Sequence, residues 1–332
     1  MTRHKVGIIG VGKLGTFHCN ALSQMENVEL VGVFDINEQQ RQVVAEKFKC
    51  VAFLSAEELI AAADIVGVIV PTTFHVRVVR DVLLAGKPVF VEKPIAGTIV
   101  EAEEIVELAA RQNIPVQVGH IERFNPAIRA LDSFGLQPLF IESHRLAPFD
   151  PRGTDVAVVL DLMIHDIDIV LSLVKSPVAA IHANGVAIVS DEADIANARI
   201  EFENGCVANV TASRISQRKM RKMRLFQQDA YISIDFLLRL TELFRLVDHA
   251  EQNSMAINLG QIDKGKYKRN IIYEKLPTPE QDAMQAEWKS FIHAIETNTR
   301  PIVNAKDGLH ALKVAMQIRE KIQNAAIQPN AE

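Results

Sequence analysis

Two short polar clusters carry side chains that can transfer protons. Lys93 directly follows the apolar run Val89–Val91 and Glu92, and Asp161 and His165 lie in an otherwise apolar stretch that ends at Asp168. Asp161 and His165 are four residues apart, so in a helix they would share a face and the carboxylate could orient the imidazole. Acid–base catalysis, a metal site and a buried ion pair all remain open from this spacing. Taken alone, a lysine that follows a strand is usually a solvated loop charge.

A glycine pattern near the start of the chain predicts a nucleotide site. Gly10, Gly12 and Gly15 form G-x-G-x-x-G after the strand-like run Lys5–Ile9, and a helix-compatible stretch follows them. This context is typical of dinucleotide-binding folds. We expect Gly10 to permit a tight turn, Gly12 to let the backbone approach a pyrophosphate at a helix N-terminus, and Gly15 to let helix and strand pack closely.

Asp35 predicts which dinucleotide binds. It ends the second strand-like run, 20 residues after Gly15. A carboxylate there accepts hydrogen bonds from the adenosine ribose hydroxyls and repels a 2′-phosphate. We therefore expect NAD, with NADP less favoured. Lys13 and Leu14, inside the glycine pattern, are expected to contact the same cofactor.

The elements that position these residues follow two different patterns. The first third alternates apolar runs with helical spacing, and Ser55/Glu58 and Thr98/Glu101 form capping boxes. This alternation predicts a doubly wound parallel sheet of the Rossmann type. The predicted strands are Lys5–Ile9, Glu29–Phe34, Ile65–Val70, Val89–Val91 and Val116–Val118.

The remainder of the chain predicts an α+β domain with a large, mainly antiparallel open sheet. A helix starts at Asn125-Pro126, and Asn204-Gly205 is a hairpin signal. Two closing helices are predicted, one from Thr278-Pro279, with a Thr278/Gln281 capping box, and one over 306–324; residues 247–270 are too polar to assign. The predicted strands are Leu139–His144, Val178–Val189, Ile195–Phe202, Cys206–Ser213, Lys219–Phe226 and Ala230–Asp235.

Length and composition predict two globular domains. The chain has 332 residues, 48% hydrophobic, with a net charge of −5, so no attraction to nucleic acid or an acidic membrane is expected. We place the boundary between residues 1–121, the cofactor domain, and 122–332, the substrate and oligomerisation domain, with helix 306–324 able to pack back on the first. Three scattered cysteines, no signal-like start and no long apolar run favour the cytoplasm, with no membrane span and no disulfide framework.

The chain resembles the Gfo/Idh/MocA family, named for glucose–fructose oxidoreductase, inositol dehydrogenase and a rhizopine-catabolism protein. The resemblance spans nearly the whole chain, and the Glu-Lys-Pro tripeptide is its most specific feature. The residues that carry it are Gly10–Gly15, Val70–His75, Glu92-Lys93-Pro94, Gly119 with Arg123–Pro126, and Asp161 with His165.

The resemblance implies an NAD(P)-dependent oxidoreductase that acts on CH–OH groups of a small sugar-type substrate, as a homodimer or homotetramer. It implies that Lys93, Asp161 and His165 are catalytic, with His165 as general base and Lys93 stabilising the developing oxyanion, so that no metal is needed. Whether Lys93 or His165 takes the proton stays open. The implied lining of the cofactor and substrate region consists of Pro71, Thr72, His75, Glu92, Arg123 and Asn125.

Two departures from the family pattern leave every catalytic group in place. Val70-Pro71-Thr72 stands where members often have Thr-Pro-Asn, and Met163 stands where they often have Gly. The alternatives are a free-sugar or cyclitol dehydrogenase, a biliverdin-reductase-like enzyme and, in another class, an NAD(P)-sensing regulator without chemistry. A pure sensor would not need the three reactive side chains.

A basic segment bears on the substrate. Residues 214–224 hold six Lys and Arg and no acid, which is compatible with a solvated strand and turn, an inter-subunit ion-pair strip or a phosphate site. The stretches 119–126 and 161–168 are also similar to members that oxidise the 3-hydroxyl of UDP-N-acetylglucosamine. This nucleotide sugar is therefore one expected substrate.

Overall fold

The computed structural model describes residues 3–150, 156–248, 256–264 and 267–327. Its contacts divide the chain into two compact units. One unit comprises residues 1–124 and 281–312, and the other comprises residues 125–280 and 313–332.

The strands agree with most of the predicted apolar runs. In chain order they are β1 (His4–Ile9), β2 (Val28–Phe34), β3 (Val51–Ala52), β4 (Ile65–Val68), β5 (Val89–Glu92), β6 (Val116–Gly119), β7 (Phe140–Leu146), β8 (Val178–Val186), β9 (Ile195–Phe202), β10 (Val207–Ser213), β11 (Met220–Gln227), β12 (Ala230–Asp235), β13 (Leu240–Val247), β14 (Ala256–Lys264) and β15 (Tyr267–Lys275).

The α-helices lie mostly in the first half and at the end of the chain. They are α1 (Lys13–Ser23), α2 (Glu38–Phe48), α3 (Ala56–Ala62), α4 (His75–Leu84), α5 (Ile99–Gln112), α6 (Pro126–Arg129), α7 (Ile164–Leu173), α8 (Ala283–Glu296) and α9 (Ala305–Ile327). Short 3-10 segments cover Thr72–Phe74 and Ile121–Phe124, and a π-helical segment covers Val159–Met163.

The first unit contains the predicted parallel sheet. Its strand order is β3-β2-β1-β4-β5-β6, and each neighbouring pair is parallel. The order reverses between β1 and β4, and ligands of such sheets bind outside the carboxyl ends of the strands at this switch point. The predicted doubly wound sheet of the Rossmann type is confirmed.

The core of the first unit includes residues from the far end of the chain. Trp288 and Phe291 of α8 are fully buried in one cluster with Ile8 and Phe90. The rings of Phe90 and Trp288 are stacked with centroids 4.5 Å apart. Helix α8 therefore completes a core that the first 124 residues only begin.

The observed N-termini of three helices can be compared with the capping residues that the sequence predicted. Thr98 and Glu101 form the full capping box, and the Ser55 hydroxyl accepts the Glu58 N–H at 3.2 Å. The predicted start at Thr278-Pro279 was wrong: α8 begins at Ala283, and the side chain of Asp282 accepts the N–H groups of Met284 and Gln285. Asp282 competes successfully because a carboxylate satisfies two orphan donors at once.

The second unit contains a nine-stranded sheet in the order β14-β15-β13-β12-β11-β7-β10-β9-β8. Its pairs are antiparallel except β7 with β10. The hairpin at Asn204-Gly205 is confirmed, with Gly205 at φ +84°. Strand β14 and the start of β15 fall within the segment that the sequence left unassigned.

The two faces of this sheet differ in their cover. Helices α6 and α7 pack on one face. The other carries a row of aromatic rings, one from each of five neighbouring strands, with centroids 5.0–5.9 Å apart. The row consists of Phe140, Phe226, Tyr231, Phe244 and Tyr273.

Within the described ranges no helix is long and apolar enough to cross a bilayer.

Candidate active site

The glycine turn after β1 has the geometry that a close ligand approach requires. Gly10 lies at φ +89°, and a Cβ there would come within 2.5 Å of the Ile69 carbonyl oxygen. A Cβ on Gly15 would overlap the Gly10 carbonyl oxygen, so α1 packs on the turn only because residue 15 is glycine. At Gly12 a Cβ would meet no atom within 4 Å. Open space therefore lies directly above the turn, at the N-terminus of α1.

Asp35 is held by backbone donors at the end of β2. Its two carboxylate oxygens accept the N–H groups of Val11, at 2.8 Å, and Asn37, at 2.9 Å. Gln40 and Arg41 of α2 donate in turn to the carbonyls of Val11 and Asp35. The carboxylate is therefore tied to the glycine turn, while each oxygen retains a lone pair for a further donor.

His75 links the ends of two neighbouring strands. Its ring is buried, with Nδ1 2.9 Å from the Pro94 carbonyl oxygen and Nε2 2.9 Å from the Val70 carbonyl oxygen. Burial lowers the pKa of His75, although both carbonyls act in the opposite sense. The side chain therefore contacts the backbone after β4 and after β5, while the backbone of Pro71 and Thr72 forms the connection.

Glu92 and Lys93 occupy the end of β5. The Glu92 carboxylate accepts the backbone N–H of Lys93 at 3.1 Å, and the Lys93-Pro94 peptide bond is cis. A Cβ on Gly119, at the end of β6, would lie 2.8 Å from Glu92 Oε1. The carboxylate therefore fills the space that this glycine leaves, and the half-buried Lys93 follows it.

Asp161 and His165 lie on consecutive helical segments. Asp161 belongs to the π-helical turn Val159–Met163, and His165 to the first turn of α7; both are half-buried. Such π-turns are rare and often occur at functional sites. No local sequence pattern indicates this turn.

A buried ion pair anchors α7 to the sheet. Arg145 of β7 donates through Nε and an Nη atom to both carboxylate oxygens of Asp166, at 2.7 and 3.0 Å. The two side chains are 3% and 2% exposed. Because Asp166 is adjacent to His165, this bidentate pair positions the start of α7.

The remaining predicted residues flank these elements. Asn125 caps α6 by accepting the Ala127 N–H and donates to the Phe236 carbonyl oxygen at 3.2 Å. Arg123 lies in the 3-10 segment, and Lys13 and Leu14 lie exposed on the first turn of α1. The carboxyl edge of the parallel sheet thus brings together the glycine turn, Asp35, the Pro71-Thr72 connection and Glu92-Lys93, whereas Asn125, Asp161 and His165 belong to the second unit.

Comparison with known proteins identifies the family. Residues 4–120 match the Gfo/Idh/MocA oxidoreductase family with an NAD-binding Rossmann fold, and residues 140–233 match the family's C-terminal domain. The UDP-N-acetylglucosamine 3-dehydrogenase of Acidithiobacillus ferrooxidans is 35% identical over 324 residues, which cover 97% of this chain and 98% of that protein. The chain belongs to the Gfo/Idh/MocA family.

Solved structures agree with this assignment. A structure of the Acidithiobacillus ferrooxidans enzyme is 34% identical, with a TM-score of 0.87 over 99% of this chain and 100% of that one. The scyllo-inositol dehydrogenase of Lactobacillus casei, solved with NAD(H) and scyllo-inositol, shares the fold at 21% identity, with a TM-score of 0.76 over 98% of both chains. This Gfo/Idh/MocA member is therefore an oxidoreductase with an NAD-binding Rossmann domain, as the sequence predicted.

The basic segment of this Gfo/Idh/MocA chain is split between different environments. Arg214 is buried, with Nε 3.2 Å from Asp194 Oδ1. Lys222 and Arg224 lie on the face of the aromatic row, where Arg224 pairs with Glu142 at 2.7 Å. The alternation along β11 directs Arg221 to the opposite face, opposite Arg145 on β7. The segment is therefore not one continuous cationic patch.

Asp194 predicts an acid-dependent loss of stability. Burial would raise the pKa of Asp194, but N–H donors of Val189, Ile188 and Ser190 and the Ser190 hydroxyl outweigh it and lower the pKa from 3.8 to about 2. A depressed carboxyl pKa stabilises the fold above the unfolded value and loses that effect as pH falls through the folded value. We expect Asp194→Asn to be less stable than the unmodified protein at neutral pH, with the gap narrowing from about pH 4 toward 2.

Chemical denaturation across this pH range measures the gap. Asp191→Asn, in the same loop but exposed, serves as the matched control and should leave the pH dependence unchanged. A gap that stays constant from pH 7 to pH 3 would contradict the assignment.

Two functional candidates of this Gfo/Idh/MocA member were missed by sequence reasoning. His18 and Trp288 are fully buried and hydrogen-bonded to each other at 3.0 Å, and His18 contacts Glu92 at 2.9 Å. A signal for His18 did exist, because Gly15, Cys19 and Leu22 mark the buried stripe of α1 and His18 lies on it. Trp288 had no such signal beyond being the single tryptophan of the chain.

Proposed function

We propose that the protein oxidises the 3-hydroxyl of UDP-N-acetylglucosamine, with NAD as hydride acceptor. The observation that carries this proposal is the 35% identity, over 97% of the chain, to an enzyme named for that reaction. Other relatives are dehydrogenases of inositols, at lower identity or over part of the chain. A free sugar or cyclitol is therefore the second candidate.

The residues at the carboxyl edge of the parallel sheet fit a dinucleotide. Gly10 and Gly15 permit the tight turn, and Gly12 leaves open space at the N-terminus of α1, where backbone N–H groups and the helix dipole favour a pyrophosphate. The Asp35 carboxylate would accept hydrogen bonds from the adenosine ribose hydroxyls. Lys13, Leu14, Pro71, Thr72 and Glu92-Lys93 complete the proposed lining, while His75 supports it through the backbone of Val70 and Pro94.

Three side chains carry the proposed chemistry. Bound NAD supplies the acceptor for the hydride that leaves the substrate carbon. His165 takes the hydroxyl proton, Asp161 orients the imidazole, and the Lys93 ammonium donates to the substrate oxygen as it becomes a carbonyl oxygen. Arg123 and Asn125 bind the substrate in this proposal.

NADH formation tests the substrate class. We expect absorbance at the NADH band with UDP-N-acetylglucosamine and not with N-acetylglucosamine, glucose or myo-inositol. Within the basic segment, Arg218 and Arg221 are the candidates for the diphosphate, so Arg221→Gln should raise KM for the nucleotide sugar. Arg224→Gln is the matched control, because its ion pair with Glu142 places it on the other face. Turnover of a neutral sugar with an inert nucleotide sugar would overturn the assignment.

Asp35 predicts the cofactor preference. We expect NAD to bind more tightly than NADP, because a 2′-phosphate would meet the carboxylate that Val11 and Asn37 hold in place. Asp35→Asn and Asp35→Ala should both narrow the difference, since the repulsion is lost. Calorimetric titration with both cofactors measures it. Asp64→Asn is a matched control, because Asp64 accepts a backbone N–H from Lys5 at the opposite edge of the sheet; tighter NADP binding by the unmodified protein would refute the prediction.

The open face of the nine-stranded sheet is the proposed oligomer interface. The aromatic row runs across five neighbouring strands, with Phe226 exposed and the other four rings half-buried in the single chain, and exposed apolar patches usually mark interfaces. We expect a homodimer or homotetramer by light scattering at micromolar concentration, and smaller species for Phe226→Glu, since Phe226 is 37% exposed in the single chain. A monomeric unmodified protein would refute this interface.

The two predicted domains have different roles in this proposal. Residues 1–121 would bind the cofactor, and residues 122–332 would supply the substrate and oligomer surfaces.

A cytoplasmic location is supported by the cysteines, all three of which are free. Burial raises the pKa of Cys19 to about 12 and that of Cys50 to about 11, so these thiols are poor nucleophiles.

A further inference from the structure

A buried series of hydrogen bonds connects helix α8 to the end of β5. Trp288 Nε1 lies 3.0 Å from His18 Nδ1, and His18 Nε2 lies 2.9 Å from Glu92 Oε1. His18 and Trp288 are fully buried, and Glu92 is 8% exposed. The indole N–H can only donate, so Nδ1 of His18 accepts and the proton of the neutral ring lies on Nε2. His18 therefore donates to the Glu92 carboxylate.

The last hydrogen bond of this series is made to the backbone of Lys93. The second oxygen of Glu92 accepts the Lys93 N–H at 3.1 Å, and the missing Cβ of Gly119 makes room for the carboxylate. On the other side of Lys93, the Pro94 carbonyl oxygen lies 2.9 Å from His75 Nδ1. The backbone from which the Lys93 side chain extends is thus held from both sides.

A series of hydrogen-bonded polar side chains is unexpected in a hydrophobic core. His18 is surrounded by the rings of Phe90 and Trp288, with centroids 5.3 and 6.0 Å away. An apolar residue would fill the space without the desolvation cost of an imidazole. A fully bonded polar network, in contrast, specifies one orientation of its members. Here the oriented member is the carboxylate adjacent to Lys93.

We propose that His18 is a positioning residue for Lys93, which acts through the carboxylate of Glu92, and that Trp288 holds His18 in the tautomer this requires. The inference rests on the proposed role of Lys93. His18 touches neither substrate nor cofactor in this scheme. It keeps the ammonium group of Lys93 where the substrate oxygen needs it, and a small misplacement of such a group costs up to ~10²-fold in rate.

Replacing His18 separates positioning from binding. His18→Leu removes the donor to Glu92, and we expect kcat with NAD and UDP-N-acetylglucosamine to fall ~10-fold or more, with the NAD dissociation constant little changed. His18→Gln retains an amide donor at the place of Nε2 and should restore most of kcat. Phe291→Leu is the control, because Phe291 packs in the same cluster without a side-chain hydrogen bond; it should lose stability and keep kcat.

Hydrogen exchange provides a readout that needs no turnover. The Lys93 amide donates to Glu92, so it should exchange faster in His18→Leu and Trp288→Phe, and not in Phe291→Leu beyond the effect of its lower global stability. The single indole N–H of the chain also reports the bond to His18 as one resonance, which should shift in His18→Gln. Unchanged protection of Lys93 in His18→Leu would overturn the proposal.

The Lys93→Met variant separates this inference from the proposed function. If Lys93→Met is impaired and His18→Leu turns over normally, the positioning role is wrong and the function stands. If Lys93→Met turns over normally, the role assigned to Lys93 is wrong and the positioning role falls with it; the proposed function itself fails only if the unmodified protein does not oxidise UDP-N-acetylglucosamine. If both are impaired, adding His18→Leu to Lys93→Met should cause little further loss, because both changes remove the same interaction.

Discussion

Replacing Lys93 by methionine is expected to lower turnover by ~10²-fold or more while cofactor binding survives, because the ammonium donor to the developing oxyanion is lost. Methionine retains the apolar stem of the lysine and most of its length. Lys87→Met is the matched control, since Lys87 lies just before β5, at its amino end, and donates to the Ala63 carbonyl oxygen. Steady-state kinetics and calorimetric NAD titration on the same preparations measure both effects.

His165→Ala is expected to cause a loss of the same order, because the general base is removed. His182→Ala, on the exposed surface of β8, is the control and should turn over normally. Near-normal turnover of either Lys93→Met or His165→Ala on the true substrate would contradict the assigned roles. Loss of NAD binding together with turnover would instead indicate a damaged cofactor domain.

Replacing Arg145 by methionine should lower stability more than any surface change. The variant leaves the Asp166 carboxylate, 2% exposed, without its bidentate partner. Breaking a buried pair in this way costs about 3–5 kcal/mol, because one charge stays desolvated and uncompensated. Urea unfolding monitored by circular dichroism measures the loss.

The matched control for this change is Arg199→Met. Arg199 pairs with Glu201 on the surface of β9, where the side chains are 45% and 38% exposed. Exposed pairs contribute about 0–1 kcal/mol, so this variant should be nearly neutral. Equal effects of the two substitutions would show that the Arg145 pair contributes no more than a surface contact. Because Asp166 is adjacent to His165, we also expect Arg145→Met to lower kcat at urea concentrations too low to unfold the protein.

The parallel half of the fold was predictable because its strands are short, apolar and buried on both faces. The glycine turn and Asp35 were predictable for a different reason. The residues that form this part of the site lie close together in the sequence, within one strand–turn–helix–strand unit. Strands β14 and β15 were not predictable. β14 is an edge strand whose described side chains are exposed or half-buried, so no hydrophobic alternation marks it.

Long-range partners account for the rest of what was missed. His18 and Trp288 are 270 residues apart, and Arg145 and Asp166 are 21 apart on different elements. Spacing in sequence reports only neighbours on one helix or strand. Asp166 was visible as an acid beside His165, but nothing local indicated that its partner is an arginine on the sheet.

The late contribution of α8 to the first core has a consequence for synthesis on the ribosome. Trp288 and Phe291 complete a cluster whose other members include Ile8 and Phe90. At 5–20 residues per second, roughly 8–30 s separate the emergence of residue 124 from that of Phe291. During this interval the nascent Rossmann unit exposes the apolar surface that the two rings later cover. We therefore expect nascent chains arrested before α8 to bind chaperones that recognise apolar segments, and chains arrested after it to release them.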